Sequence, residues 1–172
     1  MKQAEAINVL NQWDKQGHYV FLKRDLRKLF PDDTSKAFSE ALTRLVAKGH
    51  LKRACKNVYV YPSAKSFDSY TIERIAIALR RGEYNYVSLE SMLSEYGVIS
   101  QVPMRLTVMT TGRRGVFYTP YGVIEFTHTK RSIMNILDNT LKLDNRPLRI
   151  ATESAAIRDL NRVGRNTDLL HQ

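Results

Sequence analysis

The chain has 172 residues and a mass of 19.8 kDa, which allows one ordinary domain or two small ones and excludes a large multidomain enzyme. Hydrophobic residues make up 43% and charged residues 26%, a balance typical of a globular protein rather than a disordered one. Lys and Arg number 27 against 17 acidic residues, and the first 65 residues carry 13 of the bases and only 6 of the acids. This localised excess favours a polyanionic partner.

Cysteine and histidine usage argues against an intrachain disulfide and a structural zinc. Cys55 is the only cysteine, and the four histidines lie far apart in the sequence, without the spacing of metal ligands. The first 15 residues lack the pattern of a secretory signal, and no apolar stretch approaches the roughly 20 residues that a bilayer span requires. We therefore expect a cytosolic protein that needs neither a metal nor another cofactor and does not enter a membrane.

Three helices are predicted before residue 50. Apolar residues at three- and four-residue spacing predict a first helix over residues 3–16 and a short basic second helix over residues 22–30. Pro31 ends the second helix, because proline cannot donate to the helical hydrogen-bond ladder. Residues 32–34 offer candidate N-caps for a third helix, which runs to about Lys48.

A β-hairpin is predicted directly after the third helix. Residues 51–54 and 58–61 have the pattern of two short strands around a turn at residues 55–57, and Pro62 ends the second strand. Three helices followed by a hairpin is the order of a winged helix, in which the third helix fits the major groove and the hairpin contacts phosphates. We therefore predict a winged helix-turn-helix domain over residues 1–65.

Polar residues on the exposed faces of this predicted domain suit contact with DNA. Short hydrogen-bonding side chains on the third helix suit base edges, and longer cations suit phosphates. The predicted DNA-binding residues are Lys23, Arg24, Arg27 and Lys28 on the second helix, Ser35, Lys36, Ser39, Thr43 and Arg44 on the third helix, and Lys52, Arg53 and Lys56 on the hairpin. Two alternatives stay open, namely that these charges form ordinary solvated surface and that Glu40 pairs with Arg44.

Residues 66–172 predict a second, small α+β domain with an antiparallel sheet. Helical spacing of apolar residues predicts helices over residues 70–81, 89–96, 132–141 and 153–160. Ser88 is a candidate N-cap for the second of these helices. Three runs typical of strands, at residues 106–111, 116–119 and 123–129, are separated by turns and predict an antiparallel meander.

Two groups of polar residues in this half are candidates for chemistry or binding. Arg113 and Arg114 lie in a glycine-flanked turn, where contact with nucleic acid or an acidic partner and simple solvation are equally compatible with the sequence. Four carboxylates, those of Glu90, Glu95, Glu125 and Asp159, could meet around a magnesium ion as in a nuclease, although surface and salt-bridge roles explain each of them better.

Motifs of known enzymes give no support for catalysis. The sequence contains neither G-x-S-x-G nor H-E-x-x-H, and it has no glycine-rich loop that would cradle a phosphate. We therefore expect a protein that is not an enzyme. The alternative is a metal-dependent nuclease that the winged helix delivers to DNA.

The second half also resembles a known family. The segment YVSLESMLSEYGVI at residues 86–99, followed by Pro103 and by TVMTT at residues 107–111, looks like the core of the AbiEi family of antitoxins. The segment ATESAAIRDL at residues 151–160 resembles the second block of that family. The resemblance implies a toxin–antitoxin or abortive-infection operon for phage defence, an N-terminal domain that represses this operon, and a second domain that counteracts the toxin.

The expected partners follow from the predicted domain and from this resemblance. A winged helix predicts double-stranded operator DNA as the partner, with two protomers bound as a pair on repeated half-sites. The resemblance adds a cognate toxin, and it leaves open whether the protein contacts that toxin directly.

Overall fold

The computed structural model describes residues 1–171, which form two compact units, one over Met1–Thr71 and one from Ile72 onward. The helices are α1 (Gln3–Asp14), α2 (Lys23–Leu29), α3 (Ser35–Ala47), α4 (Thr71–Leu79), α5 (Leu89–Glu95), α6 (Ile133–Asp138) and α7 (Glu153–Val163), followed by a 3₁₀ helix at Thr167–His171. The strands are β1 (Val20–Leu22), β2 (Lys52–Cys55), β3 (Val58–Val60), β4 (Asn85–Val87), β5 (Arg105–Thr110), β6 (Gly115–Thr119), β7 (Gly122–His128), β8 (Thr140–Leu141) and β9 (Arg149–Ala151). The predicted α+β class is therefore confirmed.

Unit 1 places three helices around a small antiparallel sheet with the strand order β1-β3-β2. Strand β3 is central, and all three of its residues are buried. Helix α3 begins as predicted, because the hydroxyl of Thr34 accepts a hydrogen bond from the backbone N–H of Ala37 at 3.1 Å. Its apolar residues Phe38, Leu42 and Leu45 are buried in the unit, so the opposite face of the helix is exposed.

The hairpin of β2 and β3 is short and is tied to α2. A bulge between Arg53 and Cys55 shifts the strand register, and Asn57 turns the chain at a φ of 65°. The carbonyl of Asn57 accepts a hydrogen bond of 2.8 Å from the backbone N–H of Lys23. This bond places the turn of the hairpin beside the first residue of α2.

The segment that follows the hairpin is bound to unit 1. The buried carboxylate of Asp14 accepts hydrogen bonds from the backbone N–H groups of Lys65 at 2.7 Å and Ser66 at 3.0 Å. Burial alone would raise the pKa of Asp14, but the hydrogen bonds from Ser66 and Lys65 outweigh this effect and lower it. The buried hydroxyl of Tyr19 contacts the hydroxyl of Thr71 at 2.8 Å. These contacts explain why the compact unit extends to Thr71 rather than ending at Lys65.

Unit 2 contains a mixed six-stranded sheet with the order β6-β7-β5-β4-β9-β8, so the predicted antiparallel meander is wrong. Strand β7 lies between β5 and β6, parallel to β5 and antiparallel to β6. The burial pattern gives the reason, since β7 buries Ile124 and Phe126 whereas β6 leaves Val116 and Tyr118 exposed. The strand whose apolar side chains are buried lies inside the sheet, and the strand whose apolar side chains are exposed forms its edge.

Three short strands of this sheet, β4, β8 and β9, were not predicted. Each has two or three residues, which is too few for a periodic pattern to be recognised. Ser88 occupies the N-cap position of α5, as predicted, but its side chain makes no capping hydrogen bond. Its hydroxyl instead donates to the carboxylate of Asp159 at 2.8 Å.

No helix within residues 1–171 combines the length and the apolar character that are needed to cross a membrane.

Candidate nucleic-acid interface

The exposed face of α3 carries five polar side chains at helical spacing. They are Lys36, Ser39, Glu40, Thr43 and Arg44. Among residues 1–171, the side chains of Lys36 and Ser39 take part in no hydrogen bond or ion pair, so their donors and acceptors face solvent. A rigid helix with such a face can present these groups to an external ligand without breaking internal contacts.

Two further residues on this face have a more restricted chemistry. The hydroxyl of Thr43 donates to the carbonyl of Ser39 at 2.9 Å, so it can accept a hydrogen bond from a ligand but does not offer its proton. The alternative in which Glu40 pairs with Arg44 is not realised, since no ion pair joins these two described side chains. The guanidinium of Arg44 is therefore available, and Glu40 adds an acceptor that suits the amino group of cytosine.

A second group of cations surrounds the turn of the hairpin. Lys52, Arg53 and Lys56 are exposed, as predicted for residues that contact phosphates. The bond between the Lys23 amide and the Asn57 carbonyl brings the half-buried Lys23 next to this turn. Arg24 and Lys28 are exposed on α2, and Ser35 is exposed at the first residue of α3.

Arg27 is the predicted DNA-binding residue whose environment points to a different role. Its guanidinium donates to the carbonyls of Phe30 at 2.7 Å and Asp33 at 2.5 Å, and it lies 5.7 Å from the centre of the Phe38 ring. Arg27 thus connects the end of α2 to the turn before α3. The contact of Arg27 with phosphate stays a prediction beside this structural role.

The four carboxylates of unit 2, which the sequence left open as ligands of one magnesium ion, do not meet at one site. Glu90 and Glu125 both bind the guanidinium of Arg165, whereas Glu95 pairs with Arg146. Asp159 accepts hydrogen bonds from buried hydroxyl groups at another place in the unit. No group of three or more potential ligands of the His, Cys, Asp and Glu types occurs in the described part of the chain.

Arg113 and Arg114 are exposed in the turn between β5 and β6, as predicted. They line an open pocket together with Arg80, Arg81 and His128, which we did not predict. Arg80 and Arg81 are the last residues of the predicted helix over residues 70–81, and only the tertiary structure brings them to the pocket that Arg113 lines.

A family model described as a family of unknown function, DUF6088, matches residues 9–164. The chain belongs to the DUF6088 family. A search of curated proteins found no match. The description of this family assigns no function to its members.

Proposed function

We propose that unit 1 is a winged helix-turn-helix domain that binds duplex DNA through α3. The observation that carries this proposal is the exposed face of α3, on which Lys36 and Ser39 have no partner within the described chain. In this class of domain the residues in the first turns of the recognition helix contact base edges. Ser35, Lys36 and Ser39 occupy those turns.

The arrangement of the neighbouring elements supports the same proposal. Arg27 fixes the turn between α2 and α3, so the recognition helix is held by α2 as a helix-turn-helix requires. The hairpin turn is bound to the first residue of α2, so Lys56 and Lys23 belong to one cationic surface. Cations at such positions neutralise phosphates and fix the register of the protein on the duplex, while α3 reads the bases.

Substitutions on α3 and on the hairpin should have different effects on DNA binding. We expect Lys36→Ala and Ser39→Ala to weaken binding to a duplex selected by the wild-type protein from a random pool, by about 1–3 kcal/mol for each lost base contact. Their effect on random-sequence duplex should be smaller. We expect Lys56→Ala to weaken binding to both DNAs alike. It should also lower the salt dependence of binding by the contribution of about one phosphate contact.

Fluorescence anisotropy with labelled duplexes at several salt concentrations measures the affinity for DNA and its dependence on salt. Lys15→Ala is the matched control, because Lys15 is exposed in unit 1 and lies at the end of α1, outside the proposed interface. The proposal is wrong for α3 if all three variants, Lys36→Ala, Ser39→Ala and Lys56→Ala, lose affinity equally for selected and random DNA. In that case α3 does not recognise the base sequence.

The resemblance of residues 86–111 and 151–160 to AbiEi antitoxins supports a wider role. We propose that the protein represses its own operon and counteracts a toxin encoded next to it, with no enzymatic step of its own. DNA binding would belong to unit 1 and toxin neutralisation to unit 2.

Co-expression with the neighbouring toxin gene, driven by an independent promoter, tests this division of roles. We expect the full chain to restore growth, and we expect the Lys36→Ala variant to restore growth equally while it fails to repress the operon in a reporter assay. Absence of rescue by the wild-type chain would remove the antitoxin role and leave the DNA-binding proposal intact.

A further inference from the structure

Unit 2 contains an open basic pocket of about 730 Å³ at one edge of its sheet. The pocket lies where the parallel strands β5 and β7 both end, since Thr110 of β5 pairs with His128 of β7. The carboxyl ends of parallel strands are a common location of ligand sites in sheets flanked by helices. The charged or ionisable residues that line the pocket are Arg80, Arg81, Glu83, Arg113, Arg114 and His128.

Arg80 lines this pocket, and its guanidinium is held by two hydrogen bonds. Its Nε donates to the carbonyl of Arg113 at 2.8 Å, and its Nη1 donates to the carbonyl of Leu79 at 2.9 Å. The guanidinium also lies over two aromatic rings, 4.4 Å from the centre of Phe126 and 5.1 Å from that of Phe117. Its Nη2 donates to no described residue, so a fixed donor group remains for a ligand.

The turn that carries the two exposed arginines is equally well fixed. A Cβ on Gly112 would lie 2.9 Å from Cγ of Glu83 and 3.1 Å from Cδ of Arg80, so glycine allows the close approach of this turn to the end of α4. The carbonyl of Gly112 also accepts a hydrogen bond of 2.7 Å from Nδ1 of His128. The backbone positions of Arg113 and Arg114 are therefore set before any ligand binds.

Positive charge in the pocket exceeds negative charge. Four arginines face one carboxylate, that of Glu83, which accepts a hydrogen bond of 2.6 Å from the hydroxyl of Thr111. Desolvation lowers the pKa of Arg80, and the charge of Arg113 lowers it further. An anion in the pocket would relieve this repulsion between like charges.

We propose that this pocket binds phosphate groups, supplied either by a free nucleotide or by the backbone of a nucleic-acid strand. The planar forks of several guanidinium groups match the oxygens of phosphate and bind them with charge-assisted hydrogen bonds. The pocket is wide and open and has two arginines on an exposed turn, so it can accept a ligand with more than one phosphate. This site is separate from the DNA contact proposed for unit 1.

Binding of a labelled 20-nucleotide single strand to the full chain tests the proposal. All proteins used in this test also carry the substitutions Lys36→Ala and Lys56→Ala, which reduce the contribution of unit 1 to binding of the strand. We expect Arg113→Gln and Arg114→Gln each to lower the affinity by about 3- to 10-fold and to reduce the slope of log K against log salt by about 0.7, the value for one phosphate on a single strand. The matched control is Arg162→Gln, which removes an exposed arginine of α7 that does not line the pocket.

Competition experiments distinguish the two sources of phosphate. Inorganic pyrophosphate should displace the strand from the protein that retains Arg113 and should fail to displace it from the Arg113→Gln variant. This result supports a phosphate site. Stronger displacement by a nucleoside triphosphate than by an unlabelled strand identifies a nucleotide as the ligand, and the reverse order identifies nucleic acid. The proposal is overturned if Arg113→Gln and Arg114→Gln behave like Arg162→Gln, or if a poly-glutamate peptide displaces the strand better than pyrophosphate.

Discussion

The Arg146→Met variant is expected to lose about 3–5 kcal/mol of stability in unit 2, because a buried carboxylate loses its counter-charge. Arg146 is 7% exposed and Glu73 is 3% exposed. The Nε of Arg146 donates to the two carboxylate oxygens of Glu73 at 3.2 and 3.0 Å, and its terminal nitrogens bind Glu95 at 2.7 and 3.0 Å. Methionine fills much of the same space but removes the counter-charge of the buried Glu73, whose carboxylate keeps only the neutral N–H of Leu148, at 3.3 Å, among the described donors.

The loss of stability in the Arg146→Met variant should be smaller at low pH than at high pH. Burial raises the pKa of Glu73, and the hydrogen bonds and charge of Arg146 oppose this rise. Removing Arg146 therefore raises the folded-state pKa of Glu73 further above its unfolded value. A carboxyl group with a raised pKa favours the folded state most at low pH, and this contribution is lost as the pH rises through the folded-state pKa. The variant should be closer to wild type at pH 5 than at pH 7.5.

Amide hydrogen exchange of β4 and β9 measures the stability of unit 2 directly. The fluorescence of Trp13, the single tryptophan of the chain, reports on unit 1 and should show no change of similar size. Glu95→Gln is the control, because Glu95 is bound by the same arginine but its side chain is 48% exposed. A loss below about 1 kcal/mol in Arg146→Met, or the same loss at both pH values, would contradict this account of the ion pair.

Replacing Asp159 with alanine is expected to cost about 3 kcal/mol, because it leaves several buried polar groups without an acceptor. Asp159 is 1% exposed, and its Oδ2 accepts hydrogen bonds from the hydroxyls of Tyr86 at 3.0 Å and Ser88 at 2.8 Å. Its Oδ1 lies 3.6 Å from the Nε of Arg131. The carboxylate thus joins β4, α7 and the segment after β7 in the interior of unit 2.

Hydrogen exchange in α7 is the appropriate measurement for this variant as well. Asp159→Asn keeps one oxygen acceptor but loses the charge that faces Arg131, so its loss should be smaller than that of Asp159→Ala. Asp168→Ala is the matched control, since Asp168 is exposed and a surface substitution of this kind changes stability by less than about 0.5 kcal/mol. Equal losses in Asp159→Ala and Asp168→Ala would show that the buried network does not stabilise unit 2.

Much of unit 1 could be predicted because its determinants are local. The three-residue and four-residue spacing of apolar side chains predicted α3, and Thr34 was among its candidate N-caps. The same periodicity that buries Phe38 and Leu42 exposes Lys36 and Ser39, so the candidate interface follows from a single helix. Neither feature depends on a residue that is distant in the sequence.

The features that could not be predicted depend on contacts between distant residues. The structural role of Arg27 depends on hydrogen bonds from its guanidinium to the carbonyl groups of the turn before α3. The position of β7 beside β5 depends on which of the strands is most deeply buried. The turns that connect β5, β6 and β7 do not specify this strand order. Arg80 likewise reaches the turn that contains Arg113 through tertiary folding alone.

The sequence by itself determined the excess of basic residues in unit 1, the order of its elements and the exposed face of α3. The tertiary structure alone decided the order of the six strands, the partners of the four carboxylates and the convergence of arginines in the pocket of unit 2. The physical reason is that helical periodicity and capping act over three or four residues, whereas strand order and the pairing of buried charges depend on packing between segments far apart in the chain.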